Sequence, residues 1–382
     1  MRVSRVKASD AQKSGGVLHA FANYLRGLDN PNPFPGLVAL ELRTGQPVEL
    51  RLGGNESLDA PMSALQRAFG TEFCDHAKTY GDPGAHQLRM TLSRIGGFDP
   101  EELCADCGAD GVIALSLRAL CIPGDTVVCS EGTYPTFAYF ARAAGCTVIE
   151  VPYVRSDEGI FADLERLAEQ ARRHRARVVY LANPDNPTGS WVRESEVERL
   201  VLNLPLECTL LLDEAYIEFC VGLQAGCARA IPSCIRIRSL SKAYGLAGLR
   251  VGYALADRPT IEALSKVKVH YALGGLAQHA ACLTLEDAKN THAIVIGNAL
   301  LRGEFRECLQ SLGYRVLPSA TNFVSLAMPD GEAARHLQRH MLDHGVAVYR
   351  PQHPAMQNLV RITLCKATLE APVTNLLAQC RR

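Results

Sequence analysis

The sequence predicts an α/β protein: a mainly parallel sheet covered by helices on both faces, joined to a smaller α+β domain. Three observations carry this. From about residue 60 to about residue 240, short apolar segments alternate with helical patterns, the order that βαβ units require. Several of those segments are apolar without alternation, Cys208-Thr209-Leu210-Leu211-Leu212 above all, which marks strands buried on both faces. Beyond about residue 255 the texture changes to long helical stretches with short strands between them.

The chain has 382 residues, ample for a large core and for two or three domains. Lys plus Arg and Asp plus Glu both number 40, so the net charge is zero, which argues against a nucleic-acid binder. A hydrophobic fraction of 47% argues against disorder. Fourteen cysteines are scattered, many inside apolar runs, and read as buried thiols of a reducing compartment. Cys104 and Cys107 form one C-x-x-C without the further ligands a zinc site needs, so no metal is expected. The N-terminal segment has no apolar stretch of the signal-peptide kind and no run approaches 18 apolar residues, so a cytoplasmic location is expected.

In chain order, Asn30-Pro31-Asn32-Pro33-Phe34-Pro35-Gly36 reads as an irregular arm, because three prolines fix φ and remove donors. Strands are expected at 37–42 and 48–52, then a helix near 61–69. A helix over 111–120 ends at Ile122-Pro123-Gly124-Asp125 and is followed by a strand over 126–129. A helix over 136–144 stops at Gly145, a C-cap residue, and a strand follows over 147–151. Helices over 165–175 and 194–202 flank strands at 177–182, 208–212 and 234–238. The last third reads as helices over 260–267, 275–289 and 293–311, with strands over 322–326, 346–349 and 359–364.

Four loops stand out because three follow a strand and one opens a helix. Asn183-Pro184-Asp185-Asn186-Pro187-Thr188-Gly189 is a turn rich in Asn and Pro. Asp213-Glu214-Ala215-Tyr216 places carboxylates at the end of an apolar strand, where burial calls for a cationic partner. Ser239-Leu240-Ser241-Lys242, with Arg250 close behind, brings together hydroxyls, an ammonium and a guanidinium, a set that suits a phosphate. Gly108-Ala109-Asp110-Gly111 opens a helix whose free N–H groups favour an anion.

Taken in order with Asn55-Glu56, Tyr80-x-Asp82, Thr133-Tyr134, Thr321-Asn322-Phe323 and Leu359-Val360-Arg361-Ile362-Thr363, these motifs resemble the fold-type I aminotransferases that use pyridoxal 5′-phosphate, the histidinol-phosphate aminotransferase group above all. The resemblance spans roughly residues 50–365 and implies a mainly parallel seven-stranded sheet in the large domain. It divides the chain into an arm with part of the small domain (1–59), a large cofactor-binding domain (60–275) and a small C-terminal domain (276–382). Lys242 would bond the cofactor and act as general base. Asp213 would keep the pyridine nitrogen protonated, with Asn186 and Tyr216 on the ring oxygen. Ser239, Ser241 and Arg250 would hold the phosphate together with the N–H groups of Ala109 and Asp110, and Phe137 would stack on the ring. Tyr80 would reach the phosphate of a neighbouring subunit, which implies a homodimer. Arg361, with Asn322, Asn55 and Arg350, would bind the carboxylate or phosphate of the substrate.

The reaction so implied is ping-pong transamination between an amino acid or amino-alcohol phosphate, such as histidinol phosphate, and a keto acid. The alternative within the same fold is a decarboxylase, lyase, cyclase or oxidase. The sequence departs from the family pattern at Gly111, where Glu is common, and at Gly53-Gly54-Asn55-Glu56, where the usual proline is missing. In Gly345-Val346-Ala347-Val348-Tyr349-Arg350 the arginine stands one residue late, and a one-residue slip turns a strand side chain to the opposite face.

Overall fold

The computed structural model describes residues 24, 28–31, 37–59, 65, 78–221 and 229–380. Helix α1 (Leu37–Thr44) and strand β1 (Leu50–Leu52) come first, followed by α2 (His86–Gly96), β2 (Leu103–Cys107) and α3 (Gly108–Leu120). Then come β3 (Thr126–Ser130), α4 (Pro135–Ala143) and β4 (Thr147–Val151). A short hairpin of β5 (Val154–Arg155) and β6 (Ile160–Phe161) leads to α5 (Leu164–Arg173) and β7 (Val178–Ala182). The run continues with α6 (Glu194–Leu202), β8 (Thr209–Asp213), β9 (Cys234–Ser239) and β10 (Val251–Leu255).

These strands form one seven-stranded sheet in the order β2-β10-β9-β8-β7-β3-β4. All are parallel except β10, which runs antiparallel to both neighbours. That reversal has a consequence for the site. The carboxyl ends of the six parallel strands share one edge of the sheet, and β10 begins at that same edge. Arg250, just before β10, is therefore delivered next to the ends of β2 and β9.

One face of the sheet packs Ile113, Leu117, Phe137 and Ile261 against Val127, Tyr180, Leu211 and Ile235. The other packs Leu167, Ala171, Val197 and Leu200 against Val128, Val179, Leu210 and Leu212. Successive residues of β3, β7 and β8 serve opposite cores, which is why those strands carry apolar side chains on both faces.

After β10 come α7 (Arg258–Val267), α8 (Gly275–Glu286), α9 (Ala288–Ser311), β11 (Phe323–Ala327), α10 (Gly331–Asp343), β12 (Val346–Val348), β13 (Leu359–Thr363) and α11 (Ala371–Gln379). β11 pairs with β13 antiparallel, and β1 pairs with β12 parallel, so Leu52 joins a core made otherwise of residues 305–377.

The structure differs from the sequence reading at several elements. Residues 37–42 are helical rather than extended: Leu, Ala and Glu favour helix, and Thr44 Oγ1 donates to the Leu40 carbonyl across one turn at 2.9 Å. The helix expected near 61–69 lies outside the described residues, apart from Leu65. β2, β10, α2 and the β5–β6 hairpin were not anticipated. In β10 the obscuring residue is Gly252, a poor strand former that the fold requires: a Cβ there would lie 2.5 Å from the carbonyl carbon of Gly108. Among the described residues no helix is long and apolar enough to cross a membrane.

Candidate active site

The carboxyl edge of the sheet gathers loops from β2, β3, β7, β8 and β9. Asp213 closes β8 with its side chain 5% exposed. The Tyr180 hydroxyl donates to Asp213 Oδ2 at 2.7 Å, and the Ala215 N–H donates to Oδ1 at 3.1 Å. Desolvation outweighs these two donors and raises the Asp213 carboxyl to a pKa of about 6. A cationic partner is expected for a carboxylate of this loop, but the β9 arginines go to the next residue. Arg236 Nη1 and Arg238 Nε both bond Glu214, each at 2.6 Å. Strand alternation explains this, since Arg236 and Arg238 lie two apart on one face of β9.

Lys242 follows β9 in a turn stapled by the Ser57 hydroxyl, which donates to the Lys242 carbonyl. Its Nζ donates to the Gly54 carbonyl at 3.3 Å and sits 5.7 Å from the centre of the Tyr216 ring. Desolvation and then the Arg361 guanidinium pull the ammonium down to a pKa of about 8, against a smaller upward pull from Glu56. An amine so poised is a nucleophile and a base near neutral pH.

Beside it lies an anion cradle. α3 begins at Gly108, so the N–H groups of Ala109 and Asp110 fall in its first turn, where no helical acceptor exists. The Ser241 N–H donates to Ser239 Oγ at 3.2 Å, and Arg250 Nη1 donates to Ser241 Oγ at 3.3 Å. Arg250 Nη2 also reaches Asp110 Oδ2 at 3.3 Å. Gly108 has a φ of +75°, and a Cβ there would stand 2.7 Å from Arg250 Nη2, so the close approach of loop and guanidinium requires glycine.

Arg361 enters from β13 and is 2% exposed. Its Nη1 donates to Asn186 Oδ1 and its Nη2 to the Gly53 carbonyl, both at 2.6 Å. Asn55 Nδ2 donates to the Tyr216 hydroxyl at 2.8 Å, and Asn322 Nδ2 donates to the Asn55 carbonyl at 3.2 Å. Burial pushes the Tyr216 hydroxyl up to about 12, so it stays protonated. Residues from β1's end, β7, β8, β9, β11 and β13 are thus linked into one polar cluster. Two buried polar atoms in it, Arg361 Nε and Asn322 Oδ1, make no hydrogen bond.

Three expectations are corrected or qualified. Phe137 is 0% exposed and stacks on Tyr180 at 4.4 Å within the core, so it cannot face a ligand ring. The ring at this edge is Tyr134, whose hydroxyl donates to Asp110 Oδ1 at 2.9 Å. Pro135 at the first helical position was the available signal, since it leaves Tyr134 in the loop at the sheet's edge. Arg350 bonds Gln338 Oε1 of α10 through its Nε at 3.2 Å, and its neighbour Tyr349 takes the site-facing position instead. Tyr80 is 84% exposed beside Tyr271, away from the cluster within this chain.

The donor set fits pyridoxal 5′-phosphate: a lysine of lowered pKa, a buried carboxylate without a cation, and an anion cradle of two hydroxyls, a guanidinium and a helix start. Residues 48–378 match the family of class I and II aminotransferases. A histidinol-phosphate aminotransferase of Roseiflexus castenholzii is 32% identical over 348 residues, covering 89% of this chain and 92% of that protein. An aromatic amino acid aminotransferase of Corynebacterium efficiens is 33% identical over 307 residues, covering 78% and 85%. The crystal structure of a Sinorhizobium meliloti histidinol-phosphate aminotransferase in complex with pyridoxal 5′-phosphate superposes with a TM-score of 0.86 at 33% identity, covering 96% of this chain and 97% of that one.

Proposed function

The chain belongs to the class I and II aminotransferases and is a pyridoxal 5′-phosphate-dependent transaminase, and from that premise we propose which of its residues carry the reaction. Bound at the sheet's carboxyl edge, the cofactor supplies an electron sink for charge developing at the donor's α-carbon.

Lys242 Nζ holds the cofactor covalently at rest. The same nitrogen would serve as the base that takes up the proton from the donor's Cα, a task suited to a pKa of about 8. Asp213 keeps the ring nitrogen protonated, and the charge it finds there relieves its own desolvation. Asn186 and Tyr216 orient the ring oxygen. Ser239, Ser241, Arg250 and the N–H groups of Ala109 and Asp110 hold the phosphate. Tyr134 covers the ring. Arg361, supported by Asn322 and Asn55, receives the donor's anionic group through its planar fork.

Two features of assembly and place belong to this reading. Tyr80, exposed on this chain, reaches the phosphate site of a second copy, which makes the enzyme a homodimer. A cytoplasmic location accords with the described cysteines, none of which is in a disulfide. Residues 60–275 form the large domain, and segments 1–59 and 276–382 build the arm and small domain; the pairing of β1 with β12 supports this division.

The carrying observation is Lys242 at the end of β9, set between Tyr216 and Arg361 and one strand from Asp213. Replacing it tests the reading. Lys242→Ala is expected to bind the cofactor without the absorbance of the lysine-bonded form and to show no half-reaction with any amino donor. Normal turnover by that variant would overturn the assignment.

A further inference from the structure

The segment after β12 differs from the expected pattern by one residue, and the difference has a structural result. Tyr349 forms an antiparallel bridge with Arg361: its N–H donates to the Arg361 carbonyl at 3.1 Å, and the Arg361 N–H donates back at 2.7 Å. The Tyr349 ring lies 4.3 Å from the Arg361 Cζ, and Phe323 covers the guanidinium from 5.2 Å. Arg350, next along the chain, is turned to Gln338. The cation that this segment carries is therefore withdrawn from the site, and an aromatic ring occupies its place.

The same Tyr349 is one wall of a cavity of about 240 Å³. Tyr134, which bonds Asp110 in the anion cradle, is another wall, so cavity and site share two aromatic rings. Pro135, Ala138 and Pro351 add apolar lining. The charged lining is an ion-paired group: Glu150 lies 3.4 Å from His353 Nε2 and 3.9 Å from Arg142. His353 and Arg142 hold the Glu150 carboxyl below its ordinary range, so it is anionic at neutral pH. An anionic group entering here meets that carboxylate. A cationic one meets Arg142. A flat, uncharged ring meets two tyrosines and two prolines, with Glu150, His353 and Gln352 within the same lining to bond a polar substituent.

We propose that this cavity is the subsite for the donor's side chain and that Tyr349 is its specificity-determining residue, selecting an uncharged aromatic amino acid and rejecting a phosphomonoester. The proposal rests on the transaminase reading, with Arg361 receiving the donor's α-carboxylate.

The test uses the holoenzyme. Phenylalanine or tyrosine is expected to exceed histidinol phosphate in kcat/KM by roughly 100-fold, the scale at which a pocket built for one chemistry rejects another. Tyr349→Arg is expected to lower kcat/KM for phenylalanine by about tenfold or more and to raise it for histidinol phosphate. Binding gives a readout apart from turnover. By calorimetry, 3-phenylpropanoate should bind about tenfold more weakly to Ala138→Leu, which narrows the cavity away from Arg361, while propanoate binding stays unchanged. A wild-type preference for histidinol phosphate, or equal losses for 3-phenylpropanoate and propanoate, overturns the proposal. Absence of a half-reaction with every donor would instead overturn the transaminase reading beneath it.

Discussion

Asp213 is a group whose burial costs the protein stability, and replacing it with Asn isolates that cost. The side chain keeps its shape: the new amide oxygen accepts from the Ala215 N–H, and the new amide nitrogen donates to the Tyr180 oxygen, in place of the bonds Asp213 now makes at 3.1 and 2.7 Å. What disappears is the charge. The folded-state pKa of about 6 lies above the ordinary 3.8, so the folded apoenzyme binds more protons than the unfolded chain across that interval. Stability is therefore lost as pH rises from about 4 to 6, and the loss is complete above that window. At pH 7.5 the shift corresponds to about 3 kcal/mol, and at pH 4.5 to about 1 kcal/mol. For a chain of this length the unfolding entropy is about 0.8 kcal/mol/K, so apo Asp213→Asn should melt about 4 °C higher at pH 7.5 and about 1 °C higher at pH 4.5. Scanning calorimetry of the two apoenzymes at both pH values checks this. Saturating cofactor should shrink or invert the difference, because the neutral amide offers the protonated ring nitrogen no countercharge. A variant less stable than the parent at pH 7.5, or a gain independent of pH, would refute the argument.

Two further outcomes follow from the same geometry. Glu214→Gln removes the shared anion of Arg236 and Arg238; Arg236 keeps its ion pair with Glu194, while the buried Arg238 guanidinium loses its bond to Glu214. Urea unfolding should show a loss of about 3–5 kcal/mol, whereas under about 1 kcal/mol would mean that the network is redundant. Gly252→Ala places a Cβ 2.6 Å from the Ala109 nitrogen and must push back the start of α3. Cofactor titration should show affinity weakened by about tenfold or more while far-ultraviolet dichroism stays unchanged, and unaltered affinity would show that the cradle tolerates the shift.

What the sequence made legible was local chemistry at strand ends. Asp213 closes the apolar strand β8, and Lys242 follows β9 within Ser239-Leu240-Ser241-Lys242, settings that separate both from ordinary surface charges. The same logic located Ser239, Ser241 and Arg250. Phe137 does not reach the sheet's edge because it lies inside α4, on the face that packs into the core. Tyr134 lies outside it, as Pro135 announces. Arg350 failed for a different reason. Alternation along a strand is readable, but which face meets the site depends on pairing with β13, and that pairing is a tertiary fact. β2 and β10 are hidden by Asp106, a buried acid, and by Gly252, which the close packing at Gly108 demands; local propensity disfavours both in a strand.

The antiparallel strand connects these points. A fully parallel sheet would bring only strand ends to the carboxyl edge, and the loop after β9 would have to travel on to the opposite edge before starting the next strand. By reversing direction at once, β10 keeps Lys242 and Arg250 within one short loop, eight residues apart in sequence. That loop packs tightly enough that Gly108 and Gly252 meet with no room for a side chain. The protein therefore concentrates a half-buried lysine of lowered pKa, a carboxylate held above its ordinary pKa and a buried arginine in one small region. Each arrangement is unfavourable for the chain alone, and in the proposed reading each would be complementary to one part of the cofactor–substrate pair: the bonded carbon, the ring nitrogen and the donor's anionic group. The instability at Asp213 and the reactivity of Lys242 thus have one cause, water excluded from the carboxyl edge of the sheet, and a substitution that relieves the first is expected to weaken the grip on the cofactor.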